Sequence, residues 1–113
     1  MREKPKDHGR LLHIAEAIDN IDTFLHGKTV TDFHNDKLLY FGVVKNLEII
    51  GEASYMLTPE FKEHHPLTAW KDIIRMRHIL VHGYYQVDPI IIWNTIESDL
   101  PVLKDQISEY LSE

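Results

Sequence analysis

Apolar residues recur at spacings of three and four along most of the chain, the pattern of helices that bury one face. Four such stripes follow one another, and no stretch shows the strict alternation of a half-buried strand. The stripes contain Leu11, Ile14, Ala15, Ile18, Ile21 and Leu25; Tyr40, Val43, Val44, Leu47, Ile50 and Leu57; Trp70, Ile73, Ile74, Arg77, Leu80 and Val81; and Trp93, Ile96, Leu100, Leu103, Ile107 and Tyr110. The pattern predicts an all-α protein with four long helices.

Residues typical of helix ends separate the stripes. The first seven residues are polar, so the first helix is predicted to begin near residue 8 and to stop at Gly27. Thr31 or Asp32 is placed to cap the second helix, and Thr68 to cap the third. Gly83 is the predicted stop of the third helix.

Prolines mark the remaining boundaries. Thr58-Pro59 and Asp88-Pro89 each combine a capping residue with proline at the first helical position. The first pair predicts one short helix that ends before Pro66, and the second begins the fourth long helix. Pro101 lies inside the fourth stripe, whose phase continues across it, so a kinked helix is predicted. The expected architecture is an antiparallel bundle of four long helices plus one short helix.

Composition narrows the class of protein. A chain of 113 residues is expected to form a single domain over 1–113, and it has no cysteine for disulfides or thiolate metal sites. No apolar run approaches the roughly 20 residues of a membrane span, so a cytoplasmic protein without membrane contact is predicted. The formal charge of −6 disfavours non-specific nucleic-acid binding. Any RNA contact must use a local basic surface, or one assembled from more than one chain.

The segment 75–85 concentrates the candidate chemistry. It places two arginines, two histidines and two tyrosines beside three consecutive apolar residues. Arg77 falls on the apolar stripe itself, where an unpaired charge would be costly to bury. It must therefore pair with a carboxylate, such as Glu48 or Glu52, or line a cleft.

Two histidine pairs allow other interpretations. His78 and His82 are four residues apart on one helical face, a spacing that can hold a metal ion. Two histidines make a weak site, however, and no glutamate follows His78 as in the His-Glu-x-x-His zinc motif. We predict no metal site and no cofactor. The pair His64-His65 is interpreted as part of a solvated turn.

Arginine and histidine together suffice for RNA cleavage without a metal ion. A histidine can move a proton to or from the reacting oxygens, and a guanidinium can hold the phosphate by two parallel hydrogen bonds. On an ideal helix Arg77 and His82 lie about 140° apart, because each residue adds about 100°. They share a face only if the helix loosens near Gly83.

The motif Arg77-x-x-x-x-His82-x-Tyr84 resembles the Arg-x4-6-His motif of HEPN-domain proteins, in the form found in HepT-like toxins. The resemblance covers most of the chain, from about Leu11 to Leu111. Further similar segments are Asn46-Leu-Glu-Ile-Ile-Gly51-Glu-Ala, Trp70-Lys-Asp-Ile, Met76-Arg-His-Ile-Leu-Val-His-Gly-Tyr84, Val87-Asp88 and Leu100-Pro101-x-Leu103. His78 occupies a position where many relatives have asparagine.

The resemblance implies a metal-independent endoribonuclease toxin of a type VII-like HepT/MntA pair, acting as a homodimer on RNA such as tRNA or mRNA. It places Arg77 and His82 as the catalytic pair and His78 as a supporting residue. An MntA-like nucleotidyltransferase antitoxin would transfer AMP to Tyr84 and silence the enzyme. For the neighbouring Tyr85, packing at a helix end is the expected role.

Two other functions fit the same residues. Similar bundles act as non-catalytic, substrate-binding or accessory subunits of a nucleotidyltransferase. A dimeric bundle whose motif has only a structural role is the third alternative. A nuclease must lose activity when His82 alone is changed, whereas a binding subunit need not.

Overall fold

The structure, a computed structural model, describes residues 3–83 and 86–113. These residues form helices joined by short connections, with no strand among them. The helices are α1 (Glu3–Leu25), α2 (Val30–Asn35), α3 (Lys37–Met56), α4 (Pro59–His64), α5 (Trp70–Gly83) and α6 (Pro89–Leu111). The predicted all-α architecture with four long helices is confirmed, and it contains two short helices rather than one.

The proline-marked helix starts are confirmed. Thr58 Oγ1 accepts a hydrogen bond from the Phe61 amide at the start of α4, with Pro59 in the first turn. Asp88 caps α6 in the same manner. That helix continues through Pro101. Gly27 follows the end of α1 with φ of 73°, a left-handed conformation that glycine adopts without steric cost.

Two predicted boundaries were wrong. The first helix extends back to Glu3, although its opening residues are polar. The predicted second helix is divided, and neither Thr31 nor Asp32 is its cap. Thr29 caps α2 in a capping box with Asp32, and Asp36 caps α3 through the Leu39 amide.

Asp32 acquires a lowered pKa in the capping box. The main cause is the hydrogen bond from the Thr29 backbone amide, which favours the ionised carboxylate. Asp32, in the first turn of α2, thus completes a capping box with Thr29, three residues earlier.

Thr68 is not the cap of α5, contrary to prediction. Its side chain is buried, and its hydroxyl donates to Gln106 Oε1 of α6 at 2.8 Å. The Tyr110 hydroxyl lies 2.6 Å from the same oxygen. Because threonine has one hydroxyl hydrogen, Tyr110 is the donor of this second bond. Thr68 therefore connects the start of α5 to α6.

The central element of the bundle is α3, which packs against both α1 and α5, while α6 packs against α1 and α2. Two contacts show that α1 and α3 are antiparallel. Near the start of α1, Asp7 accepts hydrogen bonds from the Thr58 amide and hydroxyl, just past the end of α3. Farther along, the Asn20 amide donates to Asn46 Oδ1 at 3.0 Å. Asn46 in turn donates to the Gly42 carbonyl at 2.8 Å.

One cluster of buried apolar side chains joins five of the helices, from Leu11 in α1 to Ile107 in α6. The short α2 contributes Phe33, whose ring lies 5.3 Å from that of Tyr40 and 5.7 Å from that of Trp93. Burial raises the pKa of the Tyr40 hydroxyl. Within the described part of the chain, no helix has the length and apolar character needed to cross a bilayer.

Candidate active site on the fifth helix

Arg77 lies at the edge of the interface between α5 and α3. Its Nε is 3.3 Å from Glu52 Oε1, and its side chain is 35% exposed. Glu52 is one of the two carboxylates that the sequence offered as a partner. The guanidinium has five N–H donors in a planar fork, so the contact through Nε leaves donors for another acceptor. The side chain thus contacts α3 and remains partly exposed to solvent.

Gly51 allows α5 to approach α3 closely beside Arg77. A Cβ added at Gly51 would overlap Arg77 Cβ, and it would lie 3.0 Å from Arg77 Cγ and 3.2 Å from the Ile73 carbonyl oxygen. Any side chain at this position would therefore move α5 or the stem of the arginine. The close approach at Gly51 sets the position of the aliphatic stem of Arg77, and Glu52 holds one nitrogen of its guanidinium.

His78 and His82 lie on the exposed side of α5. Their ring centroids are 4.6 Å apart and the rings are tilted by 55°. His82 lies in the last turn of the helix, directly before Gly83. The rings are thus open to solvent and to any molecule that binds at this end of the helix.

The histidine pair lacks a further metal ligand. No group of three or more histidine, aspartate, glutamate or cysteine side chains is arranged to hold a metal ion in residues 6–83 or 86–113. Protein zinc sites use three or four such ligands.

Arg77 lines a depression with Val81 and residues of α1 and α3, and His82 is not among the described residues that line it. The predicted AMP acceptor, Tyr84, and its neighbour Tyr85 lie outside the described residues.

Sequence inspection missed the other side chains of the depression. Arg10 and His13 come from α1, and Lys45 comes from α3. Arg10 and His13 are three residues apart on α1, and Lys45 precedes Glu48 by three residues on α3. Helical spacing could therefore have placed each pair on one face. No sequence signal indicated that the two faces meet beside Arg77.

Comparison with known proteins identifies the family of this chain. The family model described as ribonuclease HepT-like matches residues 14–110. This chain belongs to the HepT-like ribonuclease family. The match includes the segment that carries Arg77, His78 and His82, whereas Arg10 and His13 precede it.

Individual HepT-like relatives align over most of their length. The chain is 40% identical over 109 residues to "Probable ribonuclease HepT" of Thermococcus cleftensis, covering 96% of this chain and 97% of the relative. It is 39% identical over 103 residues to "Putative RNase TTE0752" of Caldanaerobacter subterraneus subsp. tengcongensis, covering 91% and 92%. It is 33% identical over 97 residues to "Putative RNase MJ1380" of Methanocaldococcus jannaschii, covering 86% and 89%. No solved structure matches this chain.

Proposed function

We propose that this HepT-like protein, acting as a single domain over 1–113, is a metal-independent endoribonuclease with Arg77 and His82 as its catalytic pair. The ribose 2′-hydroxyl attacks the adjacent phosphorus, the bond from phosphorus to the 5′-oxygen breaks, and a 2′,3′-cyclic phosphate remains. His82 takes the 2′-hydroxyl proton or donates a proton to the departing 5′-oxygen. Arg77 binds the phosphate oxygens and stabilises their added charge in the transition state. His78, whose ring is next to that of His82, supports its orientation.

The observation that carries this proposal is the setting of Arg77. The stem is fixed against Gly51 and one nitrogen contacts Glu52, while a third of the side chain stays exposed. A guanidinium that is held in position and has further N–H donors suits bidentate recognition of a phosphate.

The direct test is incubation of purified protein with RNA in the presence of a metal chelator. We expect fragments that end in a 2′,3′-cyclic phosphate, identified by mass spectrometry. Candidate substrates are tRNA and mRNA. RNA that is bound but left intact would instead favour the accessory-subunit function.

The cellular role that we propose is that of the toxin in a type VII-like HepT/MntA toxin–antitoxin pair in the cytoplasm. Its partner would be an MntA-like nucleotidyltransferase antitoxin. The support for this role is the family, since HepT-like ribonucleases resemble such toxins. Separate and joint expression of the two genes would test the pairing through growth of the host.

We further propose that the protein acts as a homodimer. The second half of α5 leaves the apolar side chain of Ile79 46% exposed, next to the buried Leu80. Burial of such side chains favours association. In a two-fold dimer the same patch serves both chains, so two motifs would border one shared cleft.

We expect Ile79→Glu to give a monomer, because the interface would then bury an unpaired carboxylate. Light scattering at micromolar concentration measures this directly, with Leu12→Glu, also at an exposed apolar position, as the matched control. A wild-type protein that is monomeric under these conditions would contradict the dimer. So would an Ile79→Glu protein that remains dimeric.

Control by the antitoxin is proposed to act through Tyr84. Transfer of AMP from ATP to its hydroxyl would add an anionic phosphate that competes with RNA for Arg77, while the adenosine would occupy substrate space. We expect Tyr84→Phe to abolish the modification, because the acceptor oxygen is removed while the ring remains.

Intact-protein mass spectrometry after incubation with the nucleotidyltransferase and ATP measures this modification. Tyr85→Phe serves as the matched control and is expected to gain AMP at the wild-type rate. Modification of Tyr84→Phe protein at that same rate would place the acceptor elsewhere.

A further inference from the structure

The depression beside Arg77 contains basic residues from outside the catalytic pair. It lies where α1, α3 and α5 meet, and its volume is about 240 Å³. This space is larger than a single water molecule needs. Arg10 and His13 enter it from α1, Lys45 from α3, and Arg77 from α5.

The described side chains that line this depression carry more positive than negative charge. Three permanent cations, Arg10, Lys45 and Arg77, face two carboxylates, Glu48 and Glu52. Glu52 pairs with Arg77. In the described part of the chain, neither Arg10 nor Lys45 has a carboxylate oxygen within 4.0 Å. A local excess of positive charge is notable in a chain whose formal charge is −6.

We infer that Arg10 and Lys45 bind backbone phosphates of the RNA on the two sides of the phosphate held by Arg77. This inference rests on the proposed ribonuclease function. The depression is the local basic surface that an acidic protein needs in order to retain RNA, since phosphate neutralisation supplies most non-specific affinity. Arg10 can bind its phosphate with two donors, and Lys45 can bind the other as a point charge. His13 adds a ring nitrogen at the same site.

The bound phosphates are neighbouring ones rather than the one that is cleaved. Cleavage requires His82 within hydrogen-bond reach of the reacting oxygens. Among the described residues, His82 does not line this depression, whereas Arg77 does. Asp7 contacts Thr58 and Asn20 contacts Asn46, so Arg10 lies near the end of α3, about 15 Å along the helix axis from Lys45. Gly51, which adjoins Arg77, lies between these two positions. The two cations act as binding residues that hold the strand beside the catalytic pair.

The test measures RNA binding in a background that does not cleave. In His82→Ala protein, we expect Arg10→Ala with Lys45→Ala to weaken binding of a short single-stranded RNA by roughly 10-fold. The slope of log K against log salt concentration should fall by about 1.4, the value for two phosphates on a single strand. Lys37→Ala removes a cation from the exposed start of the same helix as Lys45, and we expect it to leave the slope unchanged.

A second probe locates the phosphates. A dinucleotide has one phosphate, so the double substitution should weaken the longer RNA more than the dinucleotide. Equal losses for both probes would place Arg10 and Lys45 at the reacting phosphate and overturn the inference. An unchanged salt slope would overturn it too, as would a His82→Ala protein that binds no RNA. Circular dichroism verifies the fold, and Arg10→Gln with Lys45→Gln repeats the test if the alanine variants unfold.

Failure of the inference is distinguishable from failure of the proposed function. A wild-type protein that binds RNA with the expected salt slope but does not cleave it would remove the ribonuclease proposal and retain the phosphate site. A wild-type protein that cleaves RNA, with binding unaffected by substitution of Arg10 and Lys45, would remove the phosphate site and retain the ribonuclease proposal.

Discussion

Replacing His82 by alanine is expected to reduce RNA cleavage by about 10²-fold or more, the usual contribution of a positioned proton-transfer group. The folded state should be nearly unaffected, because the His82 side chain is exposed and lies in the last turn of α5. The measurement is the initial rate of cleavage with a chelator present, together with the midpoint of urea unfolding. A large loss of rate at constant stability would assign the effect to chemistry.

His34→Ala provides the matched control, since His34 is also exposed in the last turn of a helix, α2. Its cleavage rate should equal that of the wild type. Full activity of the His82→Ala protein, with contaminating nuclease excluded, would remove the proposed mechanism. Arg77→Lys should also fail to cleave, because an ammonium group cannot reproduce the bidentate geometry of the guanidinium.

The second large effect is expected at Gly51, where alanine should destabilise the protein and lower its activity. Two opposing contributions decide the sign. Alanine in place of glycine inside a helix usually stabilises by about 0.5–1 kcal/mol. At Gly51, however, the new methyl group would overlap Arg77 Cβ and press on the Ile73 carbonyl. Such overpacking typically costs about 1–3 kcal/mol, so the net effect should be destabilising.

Gly9→Ala is the matched control, because a Cβ at Gly9 in α1 would meet no atom within 4 Å. Here only the helical preference operates, and the free energy of unfolding should rise. The two substitutions are thus expected to have opposite signs in urea unfolding. Cleavage should fall for Gly51→Ala alone, since only that change displaces the stem of Arg77. A Gly51→Ala protein with wild-type stability and activity would show that α3 and α5 are not in close contact at this point.

The sequence-based predictions succeeded where a boundary depends on local chemistry. Thr58-Pro59 and Asp88-Pro89 specify both a cap and a fixed backbone angle, so neighbouring residues determine where α4 and α6 begin. The division between α2 and α3 was missed because the polar segment around Asp36 offers several capping residues in succession. Phe33 packs against Tyr40 of α3 and Trp93 of α6, which is distant in sequence, and this packing determines which of the capping residues is used.

Long-range contacts also explain the other differences. Threonine is a residue type that often caps helices, but the Thr68 hydroxyl instead forms a hydrogen bond to α6, nearly 40 residues away. At the site, the sequence identified Arg77 as a charge that needed a partner, and Glu52 is that partner. It gave no indication of Arg10 and Lys45, because residues on different helices share no spacing. That both line one depression is a property of the packing of α1 against α3.

The hydrogen bond between the Asn20 and Asn46 amides disfavours alternative packings of α1 against α3. Apolar side chains of similar volume are nearly interchangeable, so two packed helices could slide by one turn, about 5.4 Å, and still bury apolar surface. The amide groups have no such freedom. A shift between α1 and α3 would leave the buried Asn46 without its hydrogen bond from Asn20, at about 1–3 kcal/mol for an unsatisfied buried group. The pair therefore selects a single register, the one in which α1 and α3 together line the depression beside Arg77.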